Sequence, residues 1–274
     1  MFLPTTLKEV RARGWDELDV IIFSGDAYID HPAFGPAVIG RILEAEGYRV
    51  AIVPQPNWRD DLRDFTKLGK PRLFFAVSAG AMDSMVNHYT ANLRLRSNDA
   101  YTPGGKAGFR PDRAIDTYTK ILKRLYPHTP VVVGGIEASL RRLTHYDYWS
   151  DKLQRSVLAT SGADLLIYGM GDKPIREVAK SLRNGFNMKL LRGLRQVGFL
   201  ADKEYVERLY NGKTIVLNTF EECVEDKHKF GENFCHIEQL SNMMECNTTL
   251  VEQVDDRYVV ITPPHETLTT EELD

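Results

Sequence analysis

No apolar run in these 274 residues approaches the ~18–20 that a membrane-crossing helix needs. The first residues, Met1-Phe2-Leu3-Pro4 followed by Thr5 to Arg13, lack the apolar centre of a signal peptide. A cytoplasmic protein without a membrane partner is expected. Cysteine is scarce: Cys223, Cys235 and Cys246 lie far apart and form no CxxC pair. That set excludes a disulfide framework and supplies no zinc-ligand spacing, so plain reduced thiols are expected. No H-x-x-x-H pair exists either, and no metal site is expected. Gly134-Gly135-Ile136 lacks the GK[ST] ending of a P-loop. Gly169-Met170-Gly171-Asp172-Lys173-Pro174 begins as G-x-G but places a proline where the third glycine of a dinucleotide fingerprint belongs. No RNA-binding module signature, internal repeat or low-complexity tract occurs, and nucleic acid is not indicated.

What is present is 43% apolar residues, enough for a sizeable core, and an uneven charge distribution. Arg94 to Arg124 holds eight Lys/Arg against three Asp, whereas Thr219 to Asp274 holds fourteen Asp/Glu against three Lys/Arg. Such halves suit an anionic ligand, or face each other, or are simply solvated. Short β-branched or apolar runs predict strands at Asp19–Phe23, Arg49–Val53, Leu73–Val77, Val131–Val133 and Leu165–Tyr168. Apolar residues at helical spacing predict helices over Pro36–Glu46, Asp60–Leu68, Asp112–Tyr126 and Pro174–Leu182. Arg141 to Thr160 reads as mostly helical, with Leu143, Tyr146, Leu153 and Val157 on one face and the aromatics packing. Residues 94–111 have no periodicity and form a long loop.

Alternating strands and helices predict an α/β protein with a doubly wound, mainly parallel sheet of five strands or slightly more, Rossmann- or flavodoxin-like. The pattern weakens after Arg183. Residues 1–183 are therefore expected as one domain and 184–274 as an α+β extension, with strands at Thr214–Leu217 and Tyr258–Ile261. Helices are expected there at Glu221–Phe230 and Asn233–Met244.

Ligands of open parallel sheets bind outside the carboxyl ends of the strands. Four strand-end loops there combine small residues with carboxylates. The candidate ligand-binding residues are Ser24, Gly25 and Asp26 after the first strand, and Ser78, Asp83, Asn87 and His88 after the third. Gly134, Gly135, Glu137, Ser139, Arg141 and Arg142 follow the fourth, and Gly169, Gly171 and Asp172 the fifth. Arg141 and Arg142 suit a carboxylate or phosphate, or pair with Glu137 or Asp147. Asp172 is expected to cap the last helix. His31 beside Asp30, His88 beside Asn87, and His145 beside Asp147 have neighbours that orient an imidazole for acid–base work. His31, Asp30, His145 and Asp147 are the catalytic candidates, with structural hydrogen-bonded histidines as the alternative.

The blocks "RGWDELDVIIFSGDAYIDHPAFG", "RSNDAYTPGGKAGFRPDRA", "VVVGGIEASLRRLTHYDYWSDKLQRSVL", "ADLLIYGMGDKPIREVAKSL" and "PPHETLTTEELD" resemble the N-terminal region of the YgiQ-type radical SAM proteins. Their order also resembles the cobalamin-binding-like domain that precedes many radical SAM cores. There the second turn usually reads G-E-G-E, and Asp172 departs from it. The resemblance implies an accessory domain that binds or presents a small-molecule substrate. It would dock on a radical SAM core of the same full-length chain, where a CxxxCxxC motif holds a [4Fe-4S] cluster and S-adenosylmethionine. The motif is absent here, so the chain is expected to be part of a longer enzyme and not catalytic by itself. The B12 motif D-x-H-x-x-G is unmet, because His31 directly follows Asp30, and no cofactor is assigned to these residues. Some cobalamin-dependent relatives lack that motif, which leaves cobalamin open while giving it no ligand here. Two rival readings are a self-contained small-molecule enzyme using the strand-end Asp and His residues, and a purely structural module.

Overall fold

The five predicted strands form where the apolar runs lie: β1 (Val20–Ser24), β2 (Val50–Pro54), β3 (Phe74–Ser78), β4 (Val131–Gly134) and, after a separate hairpin, β7 (Leu165–Ile167). They belong to a computed structural model that describes residues 2–209, 212–243, 245–267, 269 and 270. All five are parallel, in the order β2-β1-β3-β4-β7. This is the flavodoxin-like order, which reverses between β1 and β3 and opens a crevice there. Their near-continuous burial follows from cover on both faces.

On one face lie α2 (Gly35–Ala45), α8 (Asp172–Arg183) and α9 (Lys203–Leu209); on the other, α3 (Arg63–Thr66), α5 (Ala114–Leu125) and α7 (Val157–Ser161). In α5, Ile115, Tyr118, Ile121 and Leu122 recur at three- and four-residue steps and are buried. Each such side chain withdrawn from water contributes roughly 1.5–3 kcal/mol before ordering costs. The short α1 (Leu7–Ala12) starts at a capping box between Thr6 and Glu9. Two short helices, α4 (Ser84–His88) and α6 (Ile136–Leu140), stand at the carboxyl edge.

The stretch from Arg141 to Thr160 is not a helix. It forms a hairpin of β5 (His145–Asp147) and β6 (Lys152–Gln154) before α7. Burial alternates there, with Asp147 buried and Tyr146 and Tyr148 about half exposed, the two-residue period of a strand. Asp151 turns the hairpin with φ +50°.

The sheet continues past β7 as β8 (Val197–Ala201), then β11 (Arg257–Ile261), β10 (Thr249–Val254) and β9 (Thr214–Val216). Strands β8, β11 and β10 run antiparallel to their predecessors, and β9 parallels β10. Only β9 and β11 are predicted by the residue pattern. β10 and β11 join through Asp255-Asp256, with Asp255 at φ +54°, a hairpin signal that sequence reading passes over. α10 (Phe220–Glu225) and α11 (Lys227–Ser241) meet at Asp226, whose side chain accepts the His228 N–H at 2.8 Å. The expected break near Gly231 therefore moves upstream to a cap. Met244, the expected end of that helix, and residues 271–274 lie outside the described residues.

Candidate functional site

At the β1–β3 crevice the polar residues are first of all fasteners. The Ser24 Oγ accepts the Asp26 N–H at 3.1 Å and turns the loop inward. The Asp26 carboxylate is buried, accepting from the Ala81 N–H at 2.6 Å and from the Arg110 guanidinium at 2.5 Å. Arg110 is fully buried, donates to the Ala79 carbonyl at 3.0 Å and sits 3.4 Å from Asp99. Burial pushes the Asp26 carboxyl upward, while the guanidinium and the Ala81 N–H pull it down. Gly80 has φ +108°, and a Cβ there would stand 2.2 Å from the Asp26 carboxyl group, so only glycine lets the loops meet. Arg110 thereby ties the long loop 94–111 to the switch point.

A second cluster joins the loops after β3 and β4. Asp83 caps α4, accepting from Met85 N–H at 2.9 Å, and pairs with Arg141 at 2.7 Å. Glu137, also buried, accepts the N–H of Ser84 and of Ile115, both at 3.0 Å. It binds α6 to α4 and α5. Burial pushes its carboxyl upward against the opposing charge of Arg141. Arg141 thus pairs with Asp83, from another loop, rather than directly with Glu137 or Asp147. Arg142 donates to the Ser139 carbonyl at 2.6 Å and lies over the Tyr168 ring at 5.3 Å.

On the α2–α8 side of the same edge opens a cavity of about 380 Å3. Ile22, Val132, Ile167 and Ile175 make an apolar floor, with Ser78, Gly134, Gly135, Gly169, Gly171 and Asp172 around its mouth. Its size falls within the ~300–1,000 Å3 of small-molecule pockets. Ser139 braces the mouth, donating to the Gly135 carbonyl at 2.8 Å and accepting the Gly169 N–H at 3.0 Å. Gln196, from the segment before β8, holds the Gly169 turn through Tyr168 and Met170 carbonyls at 2.7 and 2.5 Å. α8 begins at Asp172 after an N-cap at Gly171, which carries no side-chain cap, so Asp172 is the first helical residue and not the cap. Gly135 has φ +84°, and a Cβ there would meet the Ser78 Oγ at 2.7 Å. Gly135→Ala is expected to destabilise the fold by about 1–3 kcal/mol, read as a lower urea midpoint.

The remaining candidates separate. Asp30 pairs with Arg41, and the Nδ1 of exposed His31 accepts the N–H of Ala33 at 3.1 Å. His145 Nδ1 bonds the Leu143 carbonyl at 3.1 Å, and burial pushes this imidazole down to about 4. Asp147 instead takes Arg113 at 2.8 Å and the Ser150 hydroxyl. His88 turns to Asp112 at 2.8 Å rather than to Asn87. Sequence neighbours therefore do not supply the partners of these histidines. Arg110, Asp99, Asp112 and Gln196 escape sequence reading. The aperiodic loop around Arg110 is a signal, but nothing local marks an arginine as buried.

The radical SAM N-terminal family model matches residues 2–274. A UPF0313 protein of Porphyromonas gingivalis is 58% identical over all of this chain and 43% of its own length. A Geobacter sulfurreducens UPF0313 protein is 47% identical, with 100% and 44% covered, and one from Thermotoga neapolitana 46%, with 100% and 47% covered. The chain spans less than half the length of these relatives. Among solved structures, the radical S-adenosylmethionine methyltransferase TsrM of Kitasatospora setae aligns at a TM-score of 0.42 and 17% identity, covering 66% of this chain and 28% of TsrM.

Among the described residues no donor set fits an iron–sulfur cluster. Cys223 and Cys246 are buried, Cys235 is exposed on α11, and among the described residues no three His, Cys, Asp or Glu side chains converge as a metal requires. Burial raises the Cys223 thiol to about 11, away from the thiolate that ligation needs. Among the described residues the cavity lining includes no histidine, so a corrinoid held there would take no cobalt ligand from this lining.

Proposed function

Because the chain belongs to the radical SAM N-terminal family, we propose that it is the substrate-holding part of a longer radical SAM protein. It binds the flat, apolar portion of a small molecule in the strand-end cavity. The bound molecule is presented to an iron–sulfur core carried by the rest of the polypeptide. The observation that supports this most is the cavity itself: an apolar floor under a mouth of peptide groups, at the carboxyl edge of a doubly wound sheet. Apolar walls supply affinity by excluding water, and the few peptide dipoles and the Ser78 hydroxyl orient what binds. Asp26, Asp83 and Glu137 nearby are committed to loop contacts, which leaves Asp172 as the ionisable side chain that lines the cavity itself. Cluster and S-adenosylmethionine chemistry is assigned to the longer protein.

Naphthalene, quinoline and indole are expected to shift the isoleucine methyl resonances of Ile39, Ile167 and Ile175, all of which line the cavity. Gly171→Val points a side chain at the Ile39 methyl, 3.2 Å from the added Cβ, and should abolish the shifts without unfolding. The full-length protein, reconstituted anaerobically with iron and sulfide, should gain iron–sulfur absorbance that the 274-residue chain lacks. Silent methyl spectra would remove the cavity's role, and a full-length protein without a cluster would remove the family chemistry.

A further inference from the structure

A second opening lies at the same edge on the α5 side, a groove of about 690 Å3. Its walls come from Trp58 and Arg59 after β2, His88 and Tyr89 at the end of α4, Asp112 before α5, and Trp149 in the β5–β6 turn. Asp112 holds both of its neighbours: one carboxylate oxygen lies 2.8 Å from His88 Nδ1, the other accepts the Tyr89 hydroxyl at 3.1 Å. With Nδ1–H given to Asp112, a neutral His88 presents Nε2 as an acceptor. That Nε2 is buried and has no partner among the described residues. The same holds for the Trp149 Nε1–H, a donor on the same groove. Natural folds rarely leave such groups unmet, and two of them within side chains that line one groove point to a ligand that meets both.

The surroundings narrow its chemistry. Tyr89 and Trp149 both line the groove, with ring centres 6.3 Å apart at 54°. In the same lining the Arg59 guanidinium stacks on Trp58 at 4.5 Å. Arg113 pairs with Asp147 at 2.8 Å, and Asp112 and Asp116 also line the groove, so Arg59 is the cation best placed for an anion. A flat ring gains from the aromatic faces, a ring edge carrying both an N–H and an acceptor matches His88 and Trp149, and Arg59 favours an attached anion. We propose that this groove binds the base of a nucleotide, with the phosphate toward Arg59. His88 accepts from the base edge and Trp149 donates to it, after a small shift of the groove side chains exposes the two nitrogens.

Isothermal titration of the chain with adenosine and guanosine monophosphates, with ribose 5-phosphate as control and a short single-stranded oligoribonucleotide as second source, tests this. Saturable binding of a mononucleotide but not of ribose 5-phosphate is expected. His88→Ala and Trp149→Phe should each weaken it about tenfold, the factor that ~1.4 kcal/mol represents. Trp149→Phe retains the ring wall, so its melting temperature should stay unchanged while its affinity falls, which a purely packing role would not produce. Binding of the oligoribonucleotide alone, equally sensitive to both variants, supports the base site and assigns it to a polynucleotide. No saturable binding by any of these probes, or binding that both variants leave intact, overturns the proposal.

Discussion

Arg110→Ala is expected to destabilise the protein by about 3–5 kcal/mol, the usual cost of stranding a buried countercharge. Asp26 and Asp99 are each only 1% exposed, and the guanidinium that faces both is itself fully buried. Removing it leaves two carboxylates in the interior and frees the Ala79 carbonyl of its donor. The pair is coupled, so Asp26→Asn combined with Arg110→Met should cost less than the two single changes added together. Urea denaturation of the four proteins measures this directly. Native-state hydrogen exchange should also show lost protection in residues 94–111, because Arg110 anchors that loop to the crevice. A loss below about 1 kcal/mol, the range of exposed ion pairs, would mean that the cluster does not fasten the edge.

Glu252→Gln is expected to stabilise the protein above neutral pH and to leave it unchanged in mild acid. Glu252 lies in β10, 1% exposed, and accepts the Thr144 N–H at 2.8 Å, joining the sheet to the segment before β5. Burial is the main cause that raises its carboxyl from 4.5 to about 7, with the Thr144 contact opposing. Between those values the unfolded chain releases a proton that the folded chain retains. Stability therefore falls as pH rises through that window and is level above it. The full loss is about 3 kcal/mol, at 1.36 kcal/mol per pKa unit. Glutamine preserves an oxygen for Thr144 N–H and carries no charge, so the variant's advantage should be absent near pH 4.5 and complete above pH 7. Comparing denaturation of both proteins at pH 5 and pH 8 cancels the other titrating groups. Parallel pH dependence in the two would show that Glu252 ionises without cost.

The parallel half of the fold was legible residue by residue. Val20–Phe23, Leu73–Val77 and Val131–Val133 are short, continuous apolar runs, the length and pattern of a strand covered on both faces. Breaks at Gly25 and Gly134-Gly135 then mark the edge where loops gather. The hairpin at 145–154 was not legible, because Leu143, Tyr146, Leu153 and Val157 lie at steps of three, seven and four residues, which satisfy a helical spacing. Tertiary contacts decided for the hairpin: Asp147 meets Arg113 and Thr144 meets Glu252, 108 residues away.

The candidate residues divide in the same way. Sequence alone determined the five parallel strands, the four small-residue loops at their ends and the family to which they belong, because these depend on local periodicity and contiguous motifs. Only the tertiary structure decided what each polar residue does there. Asp26, Asp83 and Glu137 find their partners at Arg110, Arg141 and the backbone of Ser84 and Ile115, separations set by how the loops cross. A carboxylate on a strand-end loop looks the same in sequence whether it faces a ligand or a buried arginine. Which of the two it meets is fixed by packing between segments distant along the chain.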